Sequence, residues 1–359
     1  MIYRCIFKPK DTKIEHAACP LLNKIRLMTM IVSYDTIIYM KPPFKITSTI
    51  TNLIAEISKL LGSLEATTLN IPGPKLRKKN KIKTIKSTLA IEGHTFTEDQ
   101  ITAVLENKKV LGSSKEVLEV KNAIELYEMI DQFESHKTSD FLKAHKVLMK
   151  GLVDNAGKYR AKNVGVFSGT KVKHIAPKPI FVSELITNTF SWMKKEKELH
   201  PLILSSIIHY EIEFIHPFED GNGRMGRFWQ ALILKEYDKF FKYVPVESLI
   251  EKNQIKYYKA LEMSDKAGDS TAFVEFMLIV IKESLIEMSS ELMGITNTYE
   301  DRLSKGRDYF KDKQFSRKDY MGLFKNISSA TASRDLKDGV AQKILTKNGQ
   351  KNQTEYKFV

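Results

Sequence analysis

Cysteine is nearly missing. Cys5 and Cys19 are the only two, and they give no basis for a disulfide framework or a cysteine-built metal site. A reducing cytoplasm is the compartment that fits. Long hydrophobic runs are missing too: no stretch approaches the roughly 18 apolar residues of a bilayer span. The opening MIYRCIFKPKDTKIEHAACPLLNK has no continuous apolar stretch of the signal-peptide kind. Residues 1–35 are expected to be a leader, either a disordered arm or sequence upstream of the true start. Met28 and Met30 close it. No internal repeat is visible.

Acidic residues are in deficit. The 359-residue chain carries 57 Lys and Arg against 43 Asp and Glu, a net charge of +14. The excess is uneven, with +8 in the stretch from Arg302 to Val359. A basic tail domain suits a polyanionic partner. A Lys-rich composition with no such partner is the alternative.

Apolar residues make up 42% of the chain, enough for a core, and they recur at helical spacing over most of it. STITNLIAEISKLLGSLEA (48–66) reads as a helix with Ser48 as N-cap and Gly62 as a breaker. IPGP (71–74) is a turn. KLRKKNKIKTIKSTLAIEG (75–93) is a basic helix closed by Gly93, its lysines a solvated face or a nucleic-acid contact. TEDQITAVLENKKVL, SKEVLEVKNAIELYEMIDQF, SDFLKAHKVLMKGLV and FVSELITNTFSWMKKEKEL are further amphipathic helices. GKYRAKNVGVFSGTKVKHIAPKP (157–179) alternates, carries a Gly-Thr turn and exits through prolines, as a short hairpin would. Helices resume with PLILSSIIHYEIEFI, RMGRFWQALILKEYDKF, KNQIKYYKALEMSDKA and STAFVEFMLIVIKESLIEMSSEL. GITNTYE (294–300) reads as a linker into the basic tail.

HPFEDGNGRMGR (216–227) concentrates the chemistry. Pro217 ends the preceding helix because it cannot donate the next hydrogen bond, which holds His216 at a helix end. Gly221, Asn222 and Gly223 allow N–H groups to converge on an anion. The next helix, expected to start near Arg224, adds its own amides and dipole. Arg224 and Arg227 lie three apart on one helical face, where two forked cations reach one polyphosphate. Asp220 is a hard oxygen ligand suited to magnesium. The pattern points to transfer of a phosphate ester, with His216 as base. Three other readings use the same letters. Gly221, Gly223 and Gly226 form G-x-G-x-x-G, but helices rather than a βαβ unit flank them. His209, Glu213 and His216 have the spacing of a helical metal site, without a second such pair. A polar helix–turn–helix without chemistry is the third.

The same twelve residues match the Fic-family motif H-x-F-x-[DE]-G-N-G-R-x-x-R at every fixed position. The resemblance extends to 157–179, which is similar to the family's flap, and to TLAIEG (88–93), which fits its inhibitory pattern [ST]-x-x-x-E-[GN]. It covers residues ~40–290. It implies a mostly α-helical fold that moves AMP from ATP to a hydroxyl of a target protein and releases pyrophosphate. The Doc-like phosphotransferase branch lacks the full arginine-bearing motif present here. By the same resemblance His216 takes the hydroxyl proton, Asp220 holds Mg2+, and the segment Gly221, Asn222, Gly223, Arg224, Met225, Gly226 and Arg227 binds ATP. Arg227 serves the γ-phosphate, and Lys171, Val172, Lys173 and His174 dock the target by strand-like pairing. Tyr257 resembles an adenine-lining residue, with aromatic core as its alternative. Asp265 stands where several relatives have asparagine, which leaves its role open. Glu92, helped by Thr88, is the inhibitory residue and Arg227 its partner. A carboxylate at a helix C-terminus opposes the dipole, which itself hints at a partner. An ordinary helix-terminal glutamate is the alternative.

The tail, FSRKDYMGLFKNISSATASRDLKDGVAQKILTKNGQKNQTEYKFV, reads helix, turn, helix, two strands and resembles a winged helix. Ser328 caps a second helix that puts Thr331, Ser333 and Arg334 on its leading turn. Asn348-Gly349 opens the wing. The partner is duplex DNA or protein. The expected fold is mainly α: a Fic helical fold with a β-hairpin flap, then a winged helix-turn-helix domain. Its expected parts are the leader, 36–115 with the inhibitory helix, the core 116–293 and the winged helix 298–359. A cytoplasmic, ATP- and Mg2+-using adenylyltransferase follows, with no membrane partner. Self-modification and a homodimer stay open. The competing function is a DNA-binding regulator whose Fic domain senses nucleotide or removes AMP.

Overall fold

The computed structural model describes residues 30–33, 36–39, 41–67, 72–168, 171–295, 299–324, 327–349 and 354–359. Residues 1–29, most of the expected leader, lie outside them, as does the Gly169-Thr170 turn. Met30–Ser33 (β1), the leader's end, is a strand paired antiparallel with Thr36–Tyr39 (β2). The rest is mainly helical, and no described helix is long and apolar enough to cross a membrane.

Two compact units form. One contains Met1–Ser58 and Lys81–Ser284, the other Lys59–Asn80 and Leu285–Val359. Ser48–Thr67 (α1) runs through Gly62 without a break. A lone glycine costs a helix only about 1 kcal/mol, and buried Leu61 and Leu64 on either side more than offset it. Its cap is Thr47, whose Oγ1 accepts from Ile50 N at 3.2 Å, so Ser48 is already inside the helix. Pro74–Ile91 (α2) ends in a closed C-terminal motif. Gly93 N donates to Ala90 O at 2.9 Å and His94 N to Leu89 O at 3.2 Å. Gly93 takes φ 95°, an angle that glycine adopts without a Cβ penalty.

The larger unit continues with Glu98–Leu105 (α3), Ser114–Glu128 (α4) and Thr138–Leu148 (α5). Capping boxes at Thr97 and Ser113 fix the starts of α3 and α4. The α3 segment is shorter than its apolar pattern suggests, ending before Asn107 at φ 55°. The antiparallel hairpin Gly165–Ser168 (β3) and Lys171–Ile175 (β4) follows, with an irregularity between Val166 and Phe167. Then come Pro179–Lys195 (α6), Pro201–Ile215 (α7), Asn222–Tyr237 (α8), Val246–Lys252 (α9), Gln254–Ala267 (α10) and Thr271–Ile295 (α11). Helices α7 and α8 make the densest helix pair, with the motif as the corner between them. Phe141, Phe190, Phe218 and Trp229 fill the core beneath that corner, Trp229 lying flat on Phe190 at 5.6 Å. Full burial of such a ring contributes roughly 2–3 kcal/mol.

In the smaller unit, Tyr299–Phe310 (α12), Phe315–Ser316 (β5), Arg317–Leu323 (α13), Ser329–Ala341 (α14), Leu345–Asn348 (β6) and Glu355–Phe358 (β7) follow in order. Gly294 and Ile295 belong to α11, and Tyr299 and Glu300 open α12. The rest of the expected linker, 296–298, lies outside the described residues. The three strands form one sheet in the order β5-β7-β6. Ser328 caps α14 by accepting from Thr331 N at 3.1 Å. A buried pair, Arg302 Nη2 to Asp335 Oδ1 at 2.7 Å, ties α12 to α14. Residues 350–353, between β6 and β7, lie outside the described residues.

Candidate functional site

His216 sits at the end of α7 in the left-handed region, φ 50° and ψ 60°. A non-glycine residue is held there only when its surroundings over-determine it. Pro217 stops the helix, and Arg160 does the rest. Its Nε donates to His216 O at 2.7 Å, and its Nη2 to Pro177 O at 2.6 Å and Ile215 O at 3.3 Å. Its Nη1 reaches Lys162 O at 3.0 Å. One buried guanidinium thus gathers carbonyls from three segments. The His216 ring has a long contact, 3.4 Å, from Nδ1 to Glu213 O. With the proton on Nδ1, that contact leaves the lone pair on Nε2.

The loop after His216 closes on itself. Phe218 N donates to Asn222 Oδ1 at 2.8 Å, and Asn222 Nδ2 donates to Phe218 O at 2.9 Å. Helix α8 therefore starts at Asn222, two residues earlier than the sequence suggests. Of Gly221, Asn222 and Gly223, only Gly221 has a positive φ, 84°. Gly221 N is taken by Asp220 Oδ1 at 2.6 Å. The amides left to face an anion are those of Asn222, Gly223 and Arg224, ahead of the first intrahelical bond from Met225 N to Gly221 O at 2.9 Å.

His145 on α5 supports this loop from below. Its ring stacks on Phe218 at 3.6 Å and 2°. Gly157 N donates to Nδ1 at 2.9 Å, so the proton is on Nε2, which donates to Asp220 O at 3.0 Å. Burial pulls this imidazole down to about 4, so it is neutral near pH 7. Arg160 and His145 were not singled out from the sequence. The GKYR segment holds the only hint, and only for Arg160.

The two arginines differ sharply. Arg224 is 5% exposed; its Nη2 lies 3.4 Å from Asp220 Oδ1, while its Nε and Nη1 are buried without a hydrogen-bond partner among the described residues. Arg227 is 2% exposed, with its Nε and Nη2 both engaged. Its Nη2 meets Glu92 Oε1 at 2.6 Å and Thr88 O at 3.1 Å, and its Nε meets Thr88 Oγ1 at 3.1 Å. Burial opposes its charge, but Glu92, Tyr257 and Glu213 more than offset that and hold it protonated. Gly223 faces the same carboxylate: a Cβ there would stand 2.6 Å from Glu92 Oε1. At Gly226 a Cβ would stand 2.6 Å from His209 Cδ2, so that glycine serves helix packing. Met225 is fully buried core and offers the site only its backbone.

Tyr257 is 1% exposed, packed against Phe273 and Phe276. Its hydroxyl donates to Glu213 Oε1 at 3.0 Å and lies 3.1 Å from His209 Nε2. It packs in the aromatic core beneath the site. Burial pulls His209 down to about 3, and its other nitrogen meets Gln230 at 2.7 Å. Facing the core, it is no metal ligand, and no group of three or more His, Cys, Asp or Glu suited to a metal occurs among the described residues. Asp265 Oδ1 accepts from Tyr210 at 2.8 Å. Lys171, Val172, Lys173 and His174 all lie on β4 of the hairpin.

Residues 135–234 match the Fic/DOC family. A protein adenylyltransferase Fic from Culex quinquefasciatus is 29% identical over 55% of this chain and 39% of its own length. One from Nematostella vectensis is 29% identical over 58% and 50%. The chain therefore spans half or less of these relatives. The crystal structure of a Fic family protein from Desulfovibrio desulfuricans G20 is 36% identical and superposes with a TM-score of 0.67, covering 89% of this chain and 98% of that one. With the motif at the α7–α8 corner and a likeness over nearly the whole of a solved relative, the chain belongs to the Fic family.

Proposed function

We propose that this protein transfers AMP from ATP to a serine, threonine or tyrosine hydroxyl of a target protein, and that Glu92 holds it in a resting state. The observation that carries the reading is Arg224. Two of its guanidinium nitrogens are buried without an acceptor among the described residues, at the amide-rich start of α8 and eight positions after His216. Such nitrogens are costly unless something accepts from them, and a phosphate oxygen is the acceptor a forked cation suits.

In this reading the target hydroxyl oxygen attacks the α-phosphorus, the bond to the β-phosphate oxygen breaks and pyrophosphate leaves. His216 Nε2 takes the hydroxyl proton. The amides of Asn222, Gly223 and Arg224 receive phosphate oxygens, and Arg227 is kept for the γ-phosphate. Asp220 has a carboxylate 55% exposed, within reach of a metal ion. Mg2+ held there would neutralise phosphate charge, taking its other oxygens from nucleotide and water. Strand β4 offers the target a backbone edge for pairing; a plain surface hairpin is its alternative.

Glu92 takes the cation meant for the γ-phosphate and crowds Gly223. ATP bound beside it would have its α-phosphate out of line, and a small misplacement costs about 10²-fold in rate. The curated relatives named as adenylyltransferases support the transfer chemistry. The test is incubation with ATP labelled at the α- or γ-position: α-label on protein supports the reading, and γ-label alone replaces it with phosphotransfer.

A second reading concerns the tail, whose helix, strand, two helices and hairpin support a winged helix. Ser329, Ala330, Arg334 and Lys337 on α14 are exposed, and Arg317 Nη1 donates to Ser333 Oγ at 3.0 Å. Small residues beside two cations on one helix suit the major groove of duplex DNA.

A further inference from the structure

The segment that carries Glu92 is gripped at a second point. His94 lies two residues beyond Glu92, just after the closing turn of α2. Its Nε2 contacts Glu119 Oε2 on α4, with both side chains largely buried. Burial pushes the Glu119 carboxyl up, but the hydrogen bond from His94 and the charge of Arg224 more than offset it and hold it below the usual carboxylate range. Glu119 is therefore ionised, and the contact is charge-assisted. The backbone around it is fixed as well: Glu92 N donates to Leu89 O at 3.0 Å, ahead of the Gly93 and His94 bonds. Gln254 Nε2 donates to Ile91 O at 2.8 Å. Nothing in the chemistry proposed above uses His94 or Glu119.

We propose that the His94–Glu119 contact is a second clasp on the inhibitory segment, placing Glu92 against Arg227, with His94 as a positioning residue. The inference rests on the autoinhibited reading of Glu92. Glu92 sits between two anchored points, the last turn of α2 and His94. Holding the 92–94 turn fixes the point from which the Glu92 side chain reaches Arg227. That turn cannot move freely while the imidazole is bound to α4. Glu119 also feels the charge of Arg224, a different arginine from the one Glu92 contacts.

The test uses the full chain in five forms: wild type, His94→Ala, His94→Gln, Glu92→Gly and the double variant His94→Ala with Glu92→Gly. Gln can place an amide nitrogen where Nε2 stands and keep the contact. Two readouts are taken, transfer of α-label from ATP and hydrogen exchange at the amides of Glu92, Gly93 and His94. His94→Ala should raise transfer and speed exchange at those three amides, each roughly tenfold, the equilibrium worth of one charge-assisted hydrogen bond. His94→Gln should resemble wild type in both. His94→Ala should add nothing to transfer in the Glu92→Gly background, which a merely structural role would not produce. Unchanged exchange in His94→Ala overturns the clasp, whatever the activity. Faster exchange with no gain in transfer, while Glu92→Gly does gain, also overturns it. If Glu92→Gly gains nothing, the autoinhibition reading itself fails, and the positioning role falls with it.

Discussion

Glu92 and Arg227 stand 135 residues apart in the chain and meet at 2.6 Å. The glutamate closes α2, and the arginine lies in the second turn of α8. Thr88 completes the grip with both its hydroxyl and its carbonyl. The pair joins the end of α2 to the second turn of α8, so what loosens one end frees the other.

Glu92→Gly should raise α-label transfer, self-modification included, by at least roughly tenfold, because the α-phosphate then aligns. Arg227→Ala added to it should remove the gain. ATP should also raise the melting temperature of Glu92→Gly more than that of wild type, since tighter binding to the native state stabilises it further. An unchanged rate with ATP still bound makes Glu92 a structural residue.

His216→Ala should cut transfer about 10²–10⁴-fold and leave ATP binding mostly intact, because the amides of α8 and Arg224 remain. Calorimetric titration alongside the labelling assay separates the two. Full activity without the imidazole removes the base assignment.

Arg160→Met should destabilise the fold by about 3 kcal/mol or more, since each buried carbonyl left without a donor costs roughly 1–3 kcal/mol. Activity should fall in the folded fraction too, as His216 loses what holds it at positive φ. Arg160→Lys should rescue little, since an ammonium cannot fork. A melting temperature within a degree of wild type contradicts this role.

His145 and His209 are buried neutral, pulled down to about 4 and about 3 by burial. The unfolded chain binds their protons near pH 6.5, whereas the folded one resists until those lower values. Their contribution is complete above about pH 6.5 and is lost as pH falls toward 4. One such histidine contributes on the order of 3 kcal/mol across that window. Urea midpoints from pH 7 to 5, above the carboxylate range, should fall steadily for wild type and less steeply for His209→Gln. Equal slopes would show that His209 charges in the native state.

If the tail reads DNA, full-length protein should shift a duplex at low salt, with affinity falling steeply as salt rises. Replacing Arg334 and Lys337 with alanine should abolish the shift without altering label transfer. No shift at low salt would point to a protein-docking wing.

The sequence carried this site unevenly. Helix α7 was legible residue for residue, because Pro201 opens it and Pro217 closes it. The letters of 216–227 were legible as chemistry, but the start of α8 was not. Asn222 has an ordinary helix propensity, and nothing local says that its amide folds back onto Phe218. Gly62 misled for the opposite reason: its local cost is real, and the buried leucines beside it decide otherwise. Arg160 was hidden because its partners are backbone carbonyls, which have no letter in the sequence. The resemblance paired Glu92 with Arg227. No spacing rule links positions so far apart, and Tyr257 was equally legible as core or as pocket.

Gly223 admits two rivals to one seat. In the proposed function, the missing Cβ that would let a phosphate approach the helix start also lets the Glu92 carboxylate come within reach. Inheritance therefore cannot adjust the brake and the engine separately at this position. A side chain large enough to evict the inhibitor would bar the nucleotide as well. Hyperactive variants should accordingly arise on the α2 side of the contact, at Glu92 or its supports, and be missing from position 223 in any selection for gain of activity.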